Sequence, residues 1–318
     1  MMRTRKSKRP STLSPQEKWR TWMYNGDITV WLMILPTFVL FCATSLYPFL
    51  WIFRYIFYDY NGFSAYPVGL YNFERLFRDA SYWSSVLHTF EYAGLKLLFI
   101  LPIALGSAVL LSKTLKGTNF FRVVYFLPTV ISSVIYGLIW YFIYSPYNGP
   151  LNAILENMGV ISKAVEWLSS PDTAMIAVVI VAVWGGFGNY MILLVAGLQS
   201  IPSDLYESAK IDGANAWQNF RYVTLPMLGP MLKVVLMLAI TSALKDYEVI
   251  MVLTGGGPLG RTNVMFLYIY YLIFGDPKSL NMRYQIGYGA TAGLVSAVIV
   301  GIITVIYLRM SKKMDDIY

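Results

Sequence analysis

Long apolar runs separated by short polar connections dominate the pattern of this chain. Six runs are long enough to cross a membrane as helices, and they cover residues 28–57, 86–111, 120–144, 173–198, 231–253 and 287–308. A helix needs about 20 residues to cross roughly 30 Å of hydrocarbon, and helix is the expected form because lipid cannot satisfy backbone polar groups. The pattern predicts an all-α fold, a polytopic membrane bundle of about six transmembrane helices.

Prolines lie inside or near several of these runs, at Pro36, Pro48, Pro102 and Pro128. A proline inside a helix frees a backbone carbonyl, but neighbouring helices in a membrane bundle can satisfy it. We therefore expect kinks at these positions and not breaks.

The composition agrees with a membrane bundle. Of the 318 residues, 57% are hydrophobic and 13% are charged, whereas soluble domains carry about 25% charged residues. The net charge of +8 could suggest nucleic acid. Beside six spans, basic residues are better explained by membrane topology and by contact with anionic lipid. We expect membrane lipid, and no nucleic acid, as a partner.

The basic residues also predict an orientation. The N-terminal tail, the second and fourth connections and the C-terminus carry Arg3, Arg5, Lys6, Lys8, Arg9, Lys18, Arg20, Lys113, Lys116, Arg122, Lys210, Arg221, Lys233, Arg309, Lys312 and Lys313. The opposite connections carry only Arg75, Arg78, Lys163, Arg261, Lys278 and Arg283. Lys and Arg concentrate on the cytoplasmic side, so both termini are predicted to be cytoplasmic. We divide the chain into a basic tail with an interfacial helix, 1–27, and a transmembrane domain, 28–318.

The chain has few residues that could serve as catalytic groups or metal ligands. Cys42 is the only cysteine and His88 the only histidine, so a cysteine or histidine metal cluster cannot form within the chain. A serine or cysteine nucleophile would have this one histidine or an acid as its base. We expect no catalytic residue, no metal site and no cofactor in this chain.

The connection at residues 199–230 is too structured for a flexible linker. Ser203 is placed to cap a helix, with Asp204 in its first turn, and Gly213 is placed to end it. A second short helix is expected over residues 215–222, and Pro226 and Pro230 mark the entry to the fifth span. Two explanations fit this helix–glycine–helix loop: it docks on a cytoplasmic partner, or it lies on the lipid surface.

A family resemblance enters at this loop. Glu207-Ser208-Ala209, then Asp212-Gly213, then Val223-Thr224-Leu225-Pro226 resemble the "EAA" signature of bacterial ABC importer permeases, with Ser208 and Val223 as mild departures. The run from Ile201 to Pro226 is similar to the sugar-type branch, which transports maltose, lactose and glycerol-3-phosphate. Thr254-Gly255-Gly256-Gly257-Pro258 after the fifth span also fits this branch.

The resemblance implies the fold and the partners. It implies a type I ABC importer permease fold in the bacterial plasma membrane. The loop at 199–230 would couple to two ATPase subunits, which would bind ATP and magnesium on separate chains. The segment Thr254 to Pro258 would contact an extracellular solute-binding protein. A second, homologous permease subunit is expected, giving a heterodimeric membrane core.

Charged residues inside the fifth span are the candidates for the substrate path. Lys245, Asp246 and Glu248 lie together there with Tyr247, and Lys96 lies in the second span. On a helix Lys245 and Glu248 are three residues apart and can pair. The cluster is either a structural ion pair, with another span as a possible partner, or a sugar site in which Tyr247 stacks on a ring.

Asn189 and Tyr190 in the fourth span are further candidates for the path. The fifth span carries more charge than is usual in sugar-type permeases, which hints at a substrate with its own charge.

The predicted function is a carbohydrate importer permease that hydrolyses nothing itself. The alternatives are a secondary transporter or channel that works alone, with Asp246 and Glu248 as ion-coupling acids, and an ABC permease for a non-sugar solute such as glycerol-3-phosphate.

Overall fold

The computed structural model describes residue 14 and residues 27–112, 117–277 and 284–312. The predicted interfacial helix and nearly all of the basic tail, 1–27, lie outside these residues. The chain divides into two compact units, Met1–Ile56 and Phe57–Tyr318. The cytoplasmic location of both termini stays a prediction.

The first unit contains one apolar span. Helix α1 (Asp27–Phe41) continues through a π-helical turn (Cys42–Leu46) into α2 (Tyr47–Tyr55). Pro36 lies inside α1, and Pro48 lies in the first turn of α2. Together these segments form a continuous candidate span, Val30–Tyr55, so neither proline breaks the run.

The second unit begins with a small antiparallel hairpin, β1 (Tyr58–Tyr60) and β2 (Ala65–Pro67). The hydrophobic pattern does not predict this hairpin. The helices that follow are α3 (Tyr71–Arg78), α4 (Ala80–Ser112), α5 (Thr118–Val130), α6 (Ser133–Ile143), α7 (Pro150–Asn157), α8 (Ala174–Gln199), α9 (Ser203–Ile211), α10 (Ala216–Asn219), α11 (Leu225–Met227), α12 (Gly229–Lys245), α13 (Glu248–Leu253), α14 (Met265–Phe274) and α15 (Ile286–Lys312). A π-helical turn, Phe220–Thr224, joins α10 to α11.

The number of spans agrees with the sequence pattern. Within the described residues, four helices are long and apolar enough to cross a membrane, and the number rises to six if each of two bent helix pairs is one span. Helix α8 is the central one, with 61% of its most apolar window buried. It packs along α4, and their buried side chains contribute most of the larger core cluster.

One expectation about proline is wrong. The third span is broken, because α5 and α6 meet at an angle of 98°. Pro128 lies in the last turn of α5, and Ile131 leaves the helix with an extended ψ of 136°. Pro102, by contrast, lies inside the continuous helix α4.

Close packing of α8 against α5 depends on a glycine. A Cβ on Gly188 would lie 2.4 Å from the backbone oxygen of Tyr125 in α5. That separation is far shorter than any van der Waals contact, so the glycine permits the approach. The approach brings the break between α5 and α6 beside the central helix.

Candidate functional site

The fifth span is broken at the charged cluster. Helix α12 ends at Lys245, Asp246 is extended with ψ of 131°, and α13 begins at Glu248. Aspartate competes with helical bonding through its side chain, which makes it a poor interior helix residue. The break directs the acidic side chain towards a neighbouring helix instead of along the helix face.

Two residues of α4 satisfy Asp246. Lys96 Nζ lies 2.7 Å from Asp246 Oδ2, and the Tyr92 hydroxyl donates to the same oxygen at 2.6 Å. The side chains of Lys96 and Asp246 are 7% and 19% exposed, and Tyr92 is fully buried. Charges taken out of water need such partners. Asp246 is therefore half of an ion pair between two spans.

The predicted pairing of Lys245 with Glu248 is wrong. The two residues lie on opposite sides of the break, so helical spacing no longer brings them together. Glu248 instead accepts a hydrogen bond from the hydroxyl of Ser133, the first residue of α6. Lys245 is exposed and makes no hydrogen bond or ion pair with any residue of the described ranges. The two helix breaks, one before α6 and one before α13, therefore meet.

A cavity of about 590 Å³ lies between these breaks. It is lined by Lys245, Asp246, Tyr247, Glu248 and Asn189, which are five of the six residues predicted for the substrate path. The sixth, Tyr190, is buried in the core beside them and does not line the cavity. The sequence reasoning missed several hydroxyl-bearing lining residues: Thr129, Ser133, Tyr136, Thr241 and Ser242. Hydroxyl groups inside spans are too common to single these out.

The cavity presents donors and acceptors of several kinds. Lys245 offers an ammonium group, Glu248 a carboxylate and Asn189 an amide. Tyr247 adds a half-buried aromatic ring. This set can bind a polyhydroxylated solute, because each hydroxyl of such a solute both donates and accepts hydrogen bonds. Among the described residues no group of three or more His, Cys, Asp or Glu could hold a metal ion.

The predicted coupling loop forms the expected helix–glycine–helix. Helix α9 ends at Ile211, and Gly213 has φ of +81°, a conformation that glycine adopts without strain. Asn215 and Gln218 cap α10 reciprocally, each side chain accepting from the other backbone N–H at 2.9 and 2.8 Å. The expected cap at Ser203 is wrong: the chain enters from an extended Pro202, and Ser203 is already the first helical residue.

The exposed surface of this loop contains both polar and apolar side chains. Glu207, Ser208, Asp212 and Gly213 are exposed, while Ala209 is half-buried. Val223, Leu225 and Pro226 are half-buried beneath them. The most exposed large apolar side chains of the loop are Ile211, Trp217 and Tyr222, with exposed fractions of 86%, 68% and 73%. Exposed apolar side chains of this size fit contact with a protein partner and contact with the lipid surface equally well.

The glycine-rich segment after α13 is a closed loop. The buried hydroxyl of Thr262 lies 2.7 Å from that of Thr254 and donates to the carbonyl of Gly257 at 2.6 Å. Gly255 and Gly256 have positive φ, of +60° and +85°, which explains the glycines at these positions.

The tip of this loop lies just beyond the predicted contact. Thr254, Gly255, Gly257 and Pro258 are half-buried and Gly256 is buried, whereas Leu259 is 97% exposed. Behind the tip, Arg261 binds Glu91 of α4 through two bonds of 2.6 and 2.7 Å. Helix α4 thus contacts both the loop, through Glu91, and the break at Asp246, through Tyr92 and Lys96.

Comparison with known proteins identifies the family of the chain. The profile of the family described as "Binding-protein-dependent transport system inner membrane component" matches residues 100–316. The chain is 31% identical to the "Probable starch degradation products transport system permease protein AmyD" of Thermoanaerobacterium thermosulfurigenes, over 92% of this chain and 97% of that protein. It is 34% identical to the "Trehalose/maltose transport system permease protein MalF" of Thermococcus litoralis, over 78% of this chain and 81% of that protein.

A solved structure shares the fold. It is the crystal structure of a bacterial alginate ABC transporter in complex with an alginate pentasaccharide-bound periplasmic protein. The match has a TM-score of 0.78 and 25% identity, and it covers 91% of this chain and 96% of that one. The chain has the fold of an ABC importer permease and crosses the membrane several times. It belongs to the family of binding-protein-dependent transport system inner membrane components.

Proposed function

We propose that this chain is the transmembrane permease subunit of an ATP-binding-cassette importer for a carbohydrate, an oligosaccharide or a charged sugar derivative. The observation that carries the proposal is the cavity at the meeting of two helix breaks, lined by hydroxyl, amide, ammonium and carboxylate groups and one aromatic ring. The names of the relatives, which refer to starch products and to trehalose and maltose, support a carbohydrate.

In this proposal the residues of the cavity have different roles. Lys245, Glu248 and Asn189 bind solute hydroxyls or a solute charge, and Tyr247 stacks on the apolar face of a sugar ring. Asp246 is held by Lys96 and Tyr92, so it fixes the break and shapes the cavity. In this proposal the two explanations of the cluster concern different residues: Asp246 forms an ion pair with Lys96, and Lys245 is available to a solute.

The coupling loop is proposed to dock on an ATPase subunit. Its exposed Ile211 and Trp217 would bury their side chains in a groove of that subunit, and Glu207 would bind a basic or N–H group there. Two ATPase subunits would bind ATP and magnesium, and this chain would pass their closure to the helix breaks. In this proposal ATP hydrolysis takes place in the ATPase subunits, and this chain contributes no catalytic residue.

The other partners follow from the same scheme. A solute-binding protein would contact the loop 254–260 at its exposed tip, since the alginate transporter is seen with such a protein. A second, homologous permease subunit would complete the membrane core, in the plasma membrane of a bacterium. The lipid of that membrane would cover the remaining apolar surface.

A co-purification with ATPase assay tests the proposal. The chain is isolated from solubilised native membrane as wild type, as Glu207→Lys and as Glu156→Lys, a matched charge reversal at an exposed residue of α7. We expect a second permease and an ATPase to co-purify with wild type and with Glu156→Lys, and the ATPase to be lost from Glu207→Lys. A chain that purifies alone and transports unaided in liposomes would support the secondary transporter or channel instead.

The solute is tested in the same preparation. Carbohydrates and glycerol-3-phosphate are compared for their stimulation of the ATPase in the presence of the binding protein. Stimulation by glycerol-3-phosphate and by no carbohydrate would favour the non-sugar permease.

A further inference from the structure

A second cavity lies beside α13, on the predicted outer side of the membrane. Its volume is about 570 Å³, and its lining includes Tyr141, Tyr270, Tyr271, Phe274 and Thr254. Among the residues that the structure describes, no charged side chain lines it. It differs in this respect from the cavity between the helix breaks, which is lined by four charged residues.

A row of aromatic rings joins the two cavities. The ring of Tyr247, which lines the charged cavity, lies 5.7 Å from the ring of Tyr270, which lines the second. The ring of Tyr270 lies 4.8 Å from that of Phe274. The ring planes are inclined by 33° in the first pair and by 38° in the second, so each ring is tilted against the next along the row.

These rings are open to a ligand. Tyr270 is half-buried, and Phe274 and Tyr141 are 61% and 49% exposed. All three rings line one cavity, and a concave site is the usual form of a small-molecule site.

The chemistry of the site selects its occupant. A pyranose ring has an apolar face of C–H groups and a rim of hydroxyls. The face packs on an aromatic ring, and the rim needs polar groups such as tyrosine hydroxyls and backbone carbonyls. The aromatic rings of the second cavity therefore suit the apolar C–H face of a sugar ring. The charged cavity next to them suits the hydroxyls or a charged substituent of a sugar.

We propose that the second cavity is an outer carbohydrate subsite, in which Tyr270 and Phe274 stack on one ring of an oligosaccharide while the charged cavity binds the next. This proposal rests on the proposed function, because it takes the solute to be a carbohydrate. It adds that the chain selects for length: a solute of several rings spans both cavities, and a short one occupies only the charged cavity.

Substrate-stimulated ATPase activity of the complete transporter tests the subsite. The probes are three pairs of short and long sugars: maltose and maltopentaose, arabinobiose and arabinopentaose, and alginate disaccharide and pentasaccharide. The variants are Tyr270→Leu, Tyr270→Phe, which keeps the ring, and Phe274→Leu. The matched control is Phe120→Leu, at a residue that is 66% exposed and lines neither cavity.

The expected result is a loss that depends on solute length. Tyr270→Leu and Phe274→Leu lower stimulation by the longer sugar, at limiting concentration, about three- to tenfold, as expected for one lost stacking contact. Stimulation by the shorter sugar stays within about twofold of wild type. Tyr270→Phe, which keeps the ring and loses only the hydroxyl, loses less stimulation by the longer sugar than Tyr270→Leu does, and Phe120→Leu behaves as wild type.

Other results overturn the subsite. Equal losses for both lengths would mean that the rings support the fold. No loss for either length would mean that lipid or the second permease covers them. If no sugar in the panel stimulates even the wild type, the proposed function fails, and the subsite fails with it.

Discussion

The acidic residues of the charged cavity and those of the coupling loop contrast in how they are satisfied. Asp246 is largely buried, and its carboxylate is bound by Lys96 and Tyr92 from another span. Glu207 and Asp212 are exposed, and neither side chain makes a hydrogen bond or ion pair with the residues that the structure describes. One charge is satisfied within the chain, and the other two are available to a partner.

This difference separates stability from function. A charge in a membrane interior is costly, so it pairs with another group or faces a water-filled cavity. Removing one member of such a pair leaves the other unpaired and destabilises the fold. An exposed charge costs little to change, so its effect appears only when the partner protein is present. The following predictions rank substitutions by their expected effect on this basis.

The largest effect is expected at Asp246. Asp246→Ala leaves the Lys96 ammonium buried without its counter-ion, and we expect a loss of about 3–5 kcal/mol in the free energy of unfolding. Denaturant titration of the purified chain in detergent measures it. The double variant Asp246→Ala with Lys96→Met should recover most of the loss, since no unpaired charge remains. A double variant as unstable as the single one would contradict the structural role of the pair.

Lys245 is the functional counterpart within the same cavity. Because it has no partner among the described residues, Lys245→Gln should leave the unfolding free energy unchanged within about 0.5 kcal/mol. If it binds the solute, uptake at limiting solute concentration should fall about tenfold or more. Solute uptake and the free energy of unfolding, the latter by denaturant titration, are measured on the same preparations of wild type and Lys245→Gln. A variant that loses stability and keeps its uptake would reverse the roles of Lys245 and Asp246.

Asp79 offers an intermediate effect that depends on pH. It lies before α4, outside the span, where the hydroxyls of Tyr268 and Tyr288 each donate to it at 2.5 Å. Burial tends to raise the pKa of this carboxyl, but the two hydroxyls and the N–H groups of Tyr82 and Ser81 lower it below the usual value. A lowered folded-state pKa means that ionised Asp79 stabilises the fold above the unfolded-state pKa of about 4.

That stabilisation is lost as the pH falls through the lowered pKa. Asp79→Asn should therefore be less stable than wild type at pH 7 by about 1 kcal/mol and should show a flatter decline in stability below pH 5. Thermal unfolding across pH 3–7 checks it. Parallel curves for the two proteins would mean that folding does not lower the pKa of Asp79.

At Glu207, as at Lys245, little effect on stability is expected. Glu207→Ala should change the free energy of unfolding by less than about 0.5 kcal/mol, while lowering solute-stimulated ATPase activity of the assembled transporter. Unfolding of the isolated chain and ATPase activity of the complex are compared. A clear loss of stability in Glu207→Ala would mean that Glu207 has a partner within the chain, as Asp246 does.

Hydrophobic pattern predicts the long helices and misses the breaks. The ranges expected for the fourth and sixth spans agree closely with α8 and α15, because apolar side chains along a whole helix are a long-range signal. The break at Ile131 and the break at Asp246 depend on local backbone geometry in equally apolar surroundings. Helix α14 is apolar, but with 10 residues it is too short for a span and was not predicted.

The site was predictable in its location and not in its contacts. Charges inside spans pointed to Lys96 and to the cluster at Asp246, and five of the six candidates line one cavity. Which charge pairs with which depends on residues far apart in the sequence, such as Lys96 and Asp246. The helix–glycine–helix of the coupling loop was easier, because Gly213 is a local signal, although the cap that forms is at Asn215 and not at Ser203.

ATP-driven uptake in liposomes tests the central claim most directly. The complete transporter is reconstituted with ATP inside and solute-binding protein outside, and the uptake of labelled oligosaccharide is followed. The account predicts uptake that requires both ATP and the binding protein, persists without an ion gradient, and is lost in Glu207→Lys but kept in Glu156→Lys. Uptake by this chain alone, driven by an ion gradient without ATP, would contradict it.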